Sequence, residues 1–257
     1  MSAALITLLH LEAVLPALAV LAPYDEELRR AAAGTGDFSV VLMTRGVPAR
    51  CRLTFSASGV IASAEAARPG ALRLWFPSPG QFLRTIAQKP ACVLPLGGWT
   101  ALRYVSRFSA AGRRLDELLR DPKPNPALFA FGNLAVGLAG AAALLRYQPD
   151  ARCQLAGFGE GVVTFACPAL PAPLWIDTGT LKWGAGPAPR ATLAELVFND
   201  LETLLAELSH RLDALAALGG GELRIRGHLL LAERLGLVLT EVGHLLNPPV
   251  SLPPPLS

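Results

Sequence analysis

Charged residues are scarce in this 257-residue chain: Asp, Glu, Lys and Arg make up 17% of it, whereas 52% is hydrophobic. Intrinsically disordered chains have the opposite balance, with many charges and few apolar residues, so disorder of the whole chain is excluded. Soluble domains average about 25% charged residues. A chain this apolar therefore has enough side chains for a large core, with apolar surface left over for a ligand.

The net charge is too small for a nucleic-acid-binding protein. Residues 1–122 contain 14 basic and 9 acidic residues, a net charge of +5, and residues 123–257 contain 9 and 11, a net charge of −2. Nucleic-acid-binding domains carry a dense basic patch, and no aromatic-basic motif occurs here. A mixed, solvated surface is the simplest interpretation, and contact of the mildly basic first half with an anionic membrane is the alternative.

The cysteines lack the spacing of a metal or redox site. Cys51, Cys92, Cys153 and Cys167 are far apart, and no C-x-x-C occurs, so neither a zinc nor a redox motif is indicated. We expect buried free thiols in a reducing compartment, and therefore a cytoplasmic protein, with membrane association left open. The apolar N-terminal segment has no basic n-region, which argues against a signal peptide.

Catalytic motifs are also missing. The stretch FSASG at 55–59 lacks the first glycine of a nucleophile elbow, and GFGEG at 157–161 leads into a strand pattern instead of a phosphate-binding helix. His210, His228 and His244 do not have the spacing of metal ligands. The sequence therefore predicts a protein that is not an enzyme and that uses no metal or cofactor.

One long hydrophobic run stands out in the middle of the chain. Residues 127–145, ALFAFGNLAVGLAGAAALL, contain only Asn133 as a polar residue, and 19 residues reach the length of a membrane span. The run is rich in Ala and Gly and lies between two globular-looking stretches. These features favour a buried or membrane-touching helix, with a true span as the alternative.

The chain also repeats itself with an offset of about 122 residues. LWFPSPGQFLRTI at 74–86 matches LVFNDLETLLAEL at 196–208: each has an apolar strand end, a cap and an amphipathic helix. Ser78 is the expected N-cap of the first helix and Asn199 that of the second. The other matching pairs are 11–28 with 134–151, 38–63 with 160–185, and 97–119 with 219–242.

Each half therefore reads helix, strands, helix, short strand, helix, which predicts an α+β fold. We expect an antiparallel-rich sheet of about five strands in each half, with helices on one face. The expected divisions are a divergent first domain at 1–121, a second domain at 122–246, and a Pro-rich tail at 247–257.

Two stretches of the second half resemble the sterol carrier protein 2 family. They are GGGELRIRGHLLLAERLGLVL at 219–239, which is similar to the family's glycine-led strand and final helix, and LVFNDLETLLAEL at 196–208. The second half is also similar to the lipid-binding accessory proteins of bacterial ubiquinone biosynthesis. The resemblance covers about 115 residues of the second half and extends more weakly to the first through the repeat, where Trp99 interrupts the glycine run.

The resemblance implies a hydrophobic cavity between sheet and helices that binds, transfers or presents a fatty acyl, sterol or isoprenoid lipid. The expected partner is thus a hydrophobic lipid, with no nucleic acid. The alternative is a scaffold or interaction protein whose two degenerate domains bind no lipid. The candidate lipid-contacting residues are Leu53, Phe55, Leu74, Phe76, Phe82 and Ile86 in the first half, and Trp175, Leu196, Phe198, Leu204, Leu208, Ile225, Leu229 and Leu235 in the second.

For each candidate a core position is the competing interpretation, because apolar periodicity identifies a buried face and not what fills it.

Overall fold

The computed structural model describes residues 2–33, 36–63, 71–96 and 102–247. In the first half, the helices are α1 (Ala3–Leu9), a π-helical turn (His10–Val14), α2 (Ala17–Leu21), α3 (Glu26–Ala32), α4 (Pro79–Ile86) and α5 (Val105–Arg120). The strands are β1 (Phe38–Thr44), β2 (Arg50–Ser56), β3 (Gly59–Ser63), β4 (Leu72–Phe76) and β5 (Leu94–Leu96).

In the second half, the helices are α6 (Pro126–Tyr147), α7 (Pro149–Leu155), α8 (Leu201–Leu208), α9 (Ala214–Gly220) and α10 (Leu229–Leu246). The strands are β6 (Val162–Ala166), β7 (Leu174–Asp177), β8 (Lys182–Ala185), β9 (Thr192–Phe198) and β10 (Leu223–Gly227). The Pro-rich tail expected at 247–257 lies outside the described residues apart from Asn247.

The two sheets have the same topology. Their strand orders are β3-β2-β1-β4-β5 and β8-β7-β6-β9-β10. In each, the first and fourth strands pair in parallel and the remaining neighbours pair in antiparallel. The α+β class is confirmed, but the prediction of antiparallel-rich sheets was wrong, because the sheets are mixed. The connection from the third strand returns to the end of the sheet where the first strand begins, so the fourth strand pairs with the first in parallel.

The helix that follows each fourth strand begins at a capped residue. Ser78 caps α4, as predicted, by accepting a hydrogen bond from the Gln81 amide. The prediction of Asn199 as the second cap was wrong: Asp200 accepts from the Thr203 amide at 2.8 Å. Asp200 lies 122 residues after Ser78, which is the offset of the repeat.

The fifth strands do not lie where the sequence match placed them. β10 follows its glycine run, as expected, but β5 precedes the glycines of the first half, and α5 already begins at Val105. Residues 97–101, part of the matched stretch, lie outside the described residues. Pro95 in the middle of β5 disguises the strand, because proline is tolerated only at sheet edges, and β5 is an edge strand.

The apolar run at 127–145 lies within α6, at the centre of the protein. Fifteen of the 22 residues of α6 are buried. The helix contacts the π-helical turn, α2 and α5 of the first half, and α8, α10, β7 and β8 of the second. By length and composition α6 and the segment Ala3–Leu21 could each cross a membrane, but α6 is enclosed by both halves and belongs to one continuous core, as predicted for a buried helix.

Two glycines let neighbouring helices approach α6 closely. A Cβ placed on Gly140 would lie 2.5 Å from Cγ1 of Val242 on α10. A Cβ on Gly132 would lie 3.0 Å from Leu119 and 3.2 Å from Leu21, both on first-half helices. The small residues of α6 are therefore required by close packing.

We predict that Gly140→Ala lowers the free energy of unfolding by about 1–3 kcal/mol, because the β-branched Val242 cannot rotate its methyl groups out of the way. Gly236→Ala on α10 is the matched control, since a Cβ there meets no neighbouring atom. The control should stabilise the protein by about 0.5–1 kcal/mol, the usual helix penalty of glycine. Urea unfolding of both variants measures the difference, and equal shifts would contradict it.

An ion pair between Arg114 and the buried Asp25 connects α5 to the start of α3. Asp25 caps α3 through the Leu28 amide at 2.9 Å and accepts from Nη2 of Arg114 at 2.8 Å. Burial alone would raise the pKa of Asp25, but the hydrogen bonds from Arg114 and the Leu28 amide outweigh it, so the pKa lies below its ordinary value.

We predict that this pair makes stability depend on pH in the acid range. A carboxylate with a lowered folded-state pKa stabilises the fold above its unfolded pKa of about 3.9, and the contribution disappears as pH falls through the lower folded value. Asp25→Asn should cost about 1.5–3 kcal/mol at neutral pH and flatten the stability curve below about pH 4. Asp116→Asn, which removes a solvent-exposed pair with Arg120, is the control and should leave that slope unchanged.

Candidate functional site

The closing strand and helix of the second half are positioned by a glycine and a histidine. Gly227 has φ +82°, and a Cβ there would lie 2.2 Å from the carbonyl oxygen of Leu193, so only glycine fits. His228 donates its amide to the same carbonyl at 2.9 Å and caps α10 by accepting from the Leu231 amide at its Nδ1 atom, at 3.1 Å. The chain therefore turns sharply from β10 into α10.

On the helix-covered face of the second sheet, the edge formed by β9 and β10 is incompletely buried. Leu196 and Ile225 are cross-strand neighbours on this face, next to the buried pair of Phe198 and Leu223. Both Leu196 and Ile225 are only partly buried. Apolar surface thus remains accessible between this sheet edge and the helices above it.

Some leucines of helix α8 face the core, and others face an open groove. Leu204 is fully buried, whereas Leu205 and Leu208 are partly buried. The groove has a volume of about 540 Å³ and is lined by Pro126, Leu201, Glu202, Leu205, Ala206 and Arg211. The lining is mainly apolar and contains one carboxylate, Glu202, and one guanidinium, Arg211, so its charges balance.

Sequence reasoning missed this groove. The signal was available in the pair Leu201 and Leu205, four residues apart on α8 and three positions before the predicted Leu204 and Leu208. Arg211 also lines the groove, but it lies in the loop after α8, where no helical periodicity could point to it.

Helix α10 is held along one face and leaves leucines exposed at its start. Leu235 and Val242 are buried, and Leu239 packs against the α6 helix beside Gly137. Leu229 and Leu230 in its first turn are 53% and 51% exposed. The inner side of the helix is buried from its first turn onward, since Leu231 and Ala232 are buried as well. Leu237, in the middle of the helix, is 50% exposed on its outer side.

In the first half, protein side chains pack closely around most of the candidate lipid-contacting residues. Phe55 stacks on Phe38 at 4.5 Å between ring centroids, and Phe76 meets Phe82 edge to face at 5.1 Å. Leu53 is fully buried as well, and only Leu74 and Ile86 of the first-half candidates remain partly buried. The helix-covered face of this sheet is occupied by aromatic packing.

The structure does not bring Trp175 together with the other second-half candidates. Its neighbours along β7, Leu174 and Ile176, face the core, so Trp175 points to the opposite face of the sheet. Its indole lies over Gly184 of the adjacent strand. The sequence could not show this, because an aromatic residue in an apolar strand carries no sign of which face it occupies.

The cysteines are divided between interior and surface. Cys51 and Cys167 are buried free thiols, as expected, but Cys92 and Cys153 are exposed, contrary to the expectation. Burial, and to a lesser extent the nearby Glu12 carboxylate, raise the pKa of the Cys51 thiol far above its ordinary value.

Within the described ranges, no group of three or more His, Cys, Asp and Glu side chains has the arrangement of a metal site. His210 and His244 lie with ring centroids 5.8 Å apart, at the end of α10, and lack a third ligand among the residues described there.

Over part of its length the chain is similar to sterol carrier protein 2-like domains of known structure. Sterol carrier protein 2 like 2 from Aedes aegypti is 18% identical, with 41% of this chain and 95% of that chain covered and a TM-score of 0.30. The sterol carrier protein domain 2 of Helicoverpa armigera is 15% identical, with coverage of 40% and 81% and a TM-score of 0.31. A UbiJ-SCP2 ubiquinone synthesis protein is 18% identical, with coverage of 41% and 89% and a TM-score of 0.31.

No protein-family model and no curated protein matches the chain. The tandem arrangement of two such domains stays a prediction.

We predict that two of the four cysteines react with a thiol reagent in the folded protein. Cys92 and Cys153 should react quickly because they are exposed, while Cys51 and Cys167 should react only after denaturation. Titration with a chromogenic disulfide before and after adding guanidinium chloride counts the thiols. Rapid reaction of a third thiol in the native state would contradict the burial of Cys51 and Cys167.

Proposed function

We propose that this chain binds a hydrophobic lipid and transfers or presents it without catalysis. The unit responsible is the second of two repeated domains, residues 122–246, and the first, residues 1–121, supports it. The ligand class, a fatty acyl, sterol or isoprenoid chain, follows from the resemblance of the strand and closing helix at 219–239 to the sterol carrier protein 2 family.

The observation that supports this proposal best is the incompletely covered apolar edge of the second sheet. Leu196 and Ile225 lie side by side on the helix-covered face, in two strands that α10 contacts, and remain partly accessible. A lipid chain inserted there would gain about 0.8 kcal/mol for each buried methylene, so about ten methylenes give several kcal/mol after ordering costs. Binding of this strength requires no covalent chemistry.

Entry of the lipid is best served by the start of α10. The middle and end of this helix pack on α6 at Gly137 and Gly140, whereas the first turn exposes Leu229 and Leu230. Displacing that turn would uncover the sheet edge and would also expose Leu231 and Ala232, which are buried in the same turn. Lipid exchange thus needs an opening of the first turn around Gly227, with the rest of the helix in place.

A scaffold without bound lipid is the second candidate, and the first half favours it. The stacked Phe38 and Phe55, with Phe76 against Phe82, occupy the space in which a ligand would lie. In this interpretation both halves are degenerate and serve only to bind other proteins.

Native mass spectrometry of the freshly purified chain separates the two candidates. The lipid-binding function predicts a co-purifying hydrophobic molecule, or displacement of a fluorescent fatty acid by added lipid. A clean mass of the protein alone, together with no uptake of the fluorescent fatty acid, would support the scaffold.

We predict that Leu229→Arg weakens uptake of a fluorescent fatty acid about tenfold or more, because it removes apolar contact and places a charge at the entry. The fold should be retained, since Leu229 is half exposed. Val105→Arg is the matched control: Val105 is the partly exposed first residue of α5, the closing helix of the first half. Unchanged uptake by a folded Leu229→Arg protein would place the site elsewhere, and loss of uptake in the control would implicate the first half.

A further inference from the structure

The outer face of the first sheet, opposite the helices, is exposed at its margins, whereas Val41 and Arg52 at its centre are buried. Strand alternation places Arg50, Thr54 and Ile61 on this face, and the hydrogen bond between the hydroxyls of Ser39 and Thr54, at 3.0 Å, joins two neighbouring strands across it. Ile61 is 61% exposed. The opposite side chains of the same strands, such as Leu53, are buried in the core.

Among the described strand residues, the charged side chains of this outer face are arginines. Arg50 and Arg73 are exposed, and Arg52, on the same strand as Arg50, is buried. Among the strand residues described for this face, Asp and Glu do not occur. The outer face of the second sheet differs, because Glu195 there pairs with Arg226 at 3.4 Å.

Apolar side chains stand beside these cations. At the sheet edge, Leu94 is the cross-strand neighbour of Trp75, and Leu96 is the neighbour of Arg73. Leu94 and Leu96 are 44% and 47% exposed, and Trp75 is partly exposed. Exposed leucines at alternate positions of an edge strand are unusual unless they contact a partner.

We propose that this face docks on the surface of an anionic lipid bilayer. The arginines would contact lipid phosphates, while Ile61, Leu94 and Leu96 would enter the interfacial region. Nucleic acid is less suited, because single strands bind by stacking bases on aromatic side chains, and Trp75 is the one aromatic residue on the described part of this face.

The exposed leucines of α10 do not offer an equivalent surface for an anionic membrane. Leu230 and Leu237 share the outside of that helix with Glu233 and Glu241, whose carboxylates anionic lipids repel. Docking through the first sheet leaves α10 free of the bilayer plane. This inference does not depend on lipid uptake by the second half, since vesicle binding is measured separately.

Vesicle sedimentation of the full chain tests the proposal. We expect binding to vesicles of phosphatidylcholine with phosphatidylglycerol, no binding to phosphatidylcholine alone, and loss of binding when salt rises from about 0.05 M to about 0.5 M. Each arginine near a charged surface contributes about fivefold in affinity, so the double variant Arg50→Gln with Arg73→Gln should bind about 25-fold more weakly. Leu94→Ser with Leu96→Ser should weaken binding at every salt concentration.

The matched control is Arg224→Gln with Arg226→Gln, which removes two exposed cations from the outer face of the second sheet and should change binding less than twofold. Thermal unfolding of each variant verifies that it is folded. Full binding by the folded Arg50 and Arg73 variant, or equal binding to neutral vesicles, overturns the proposal. So does arginine-dependent binding to a single-stranded RNA without binding to vesicles.

Discussion

The close packing of α6 against helices of both halves is the contact on which the rest of the structure depends. Its alanines and glycines bring α2, α5 and α10 near enough for one continuous core to form. A bulkier residue at Gly140 would strike the stiff side chain of Val242, so the position of α10 is set by the smallness of its neighbour. Through α10, the same contact determines how much of the β9–β10 edge is covered.

The central helix also decides where apolar surface is left over. Because the leading helices of both halves pack on each other and on their own sheets, the middle of each sheet is covered by protein. What remains is peripheral: the helix-covered edge at Leu196 and Ile225, the groove beside α8, and the outer face of the first sheet. The proposed ligand site therefore lies at an edge, where the sheet is least completely covered.

Local sequence patterns predicted local structure well. They did not predict features that depend on contacts with distant parts of the chain. The offset of 122 residues correctly related α4 to α8, and the cap Ser78 was right, but the second cap was placed one residue early, at Asn199 instead of Asp200. Parallel pairing of the first and fourth strands could not be predicted, because it depends on the direction in which the chain returns. The sequence likewise could not show which face of the sheet Trp175 occupies. Strand β7 is apolar on both faces, and only its contacts with other elements determine which face is buried.

The two sheets have the same topology but differ in the side chains that their inner and outer faces present. The first fills its inner face with stacked phenylalanines and leaves an outer face of arginines and aliphatic side chains. The second pairs Arg226 with Glu195 on its outer face and leaves its inner edge incompletely buried. The proposed membrane contact depends on arginines of the first sheet, and the proposed lipid uptake depends on the apolar edge of the second. Because the two features lie on different sheets, we expect that each can be altered by mutation without changing the other.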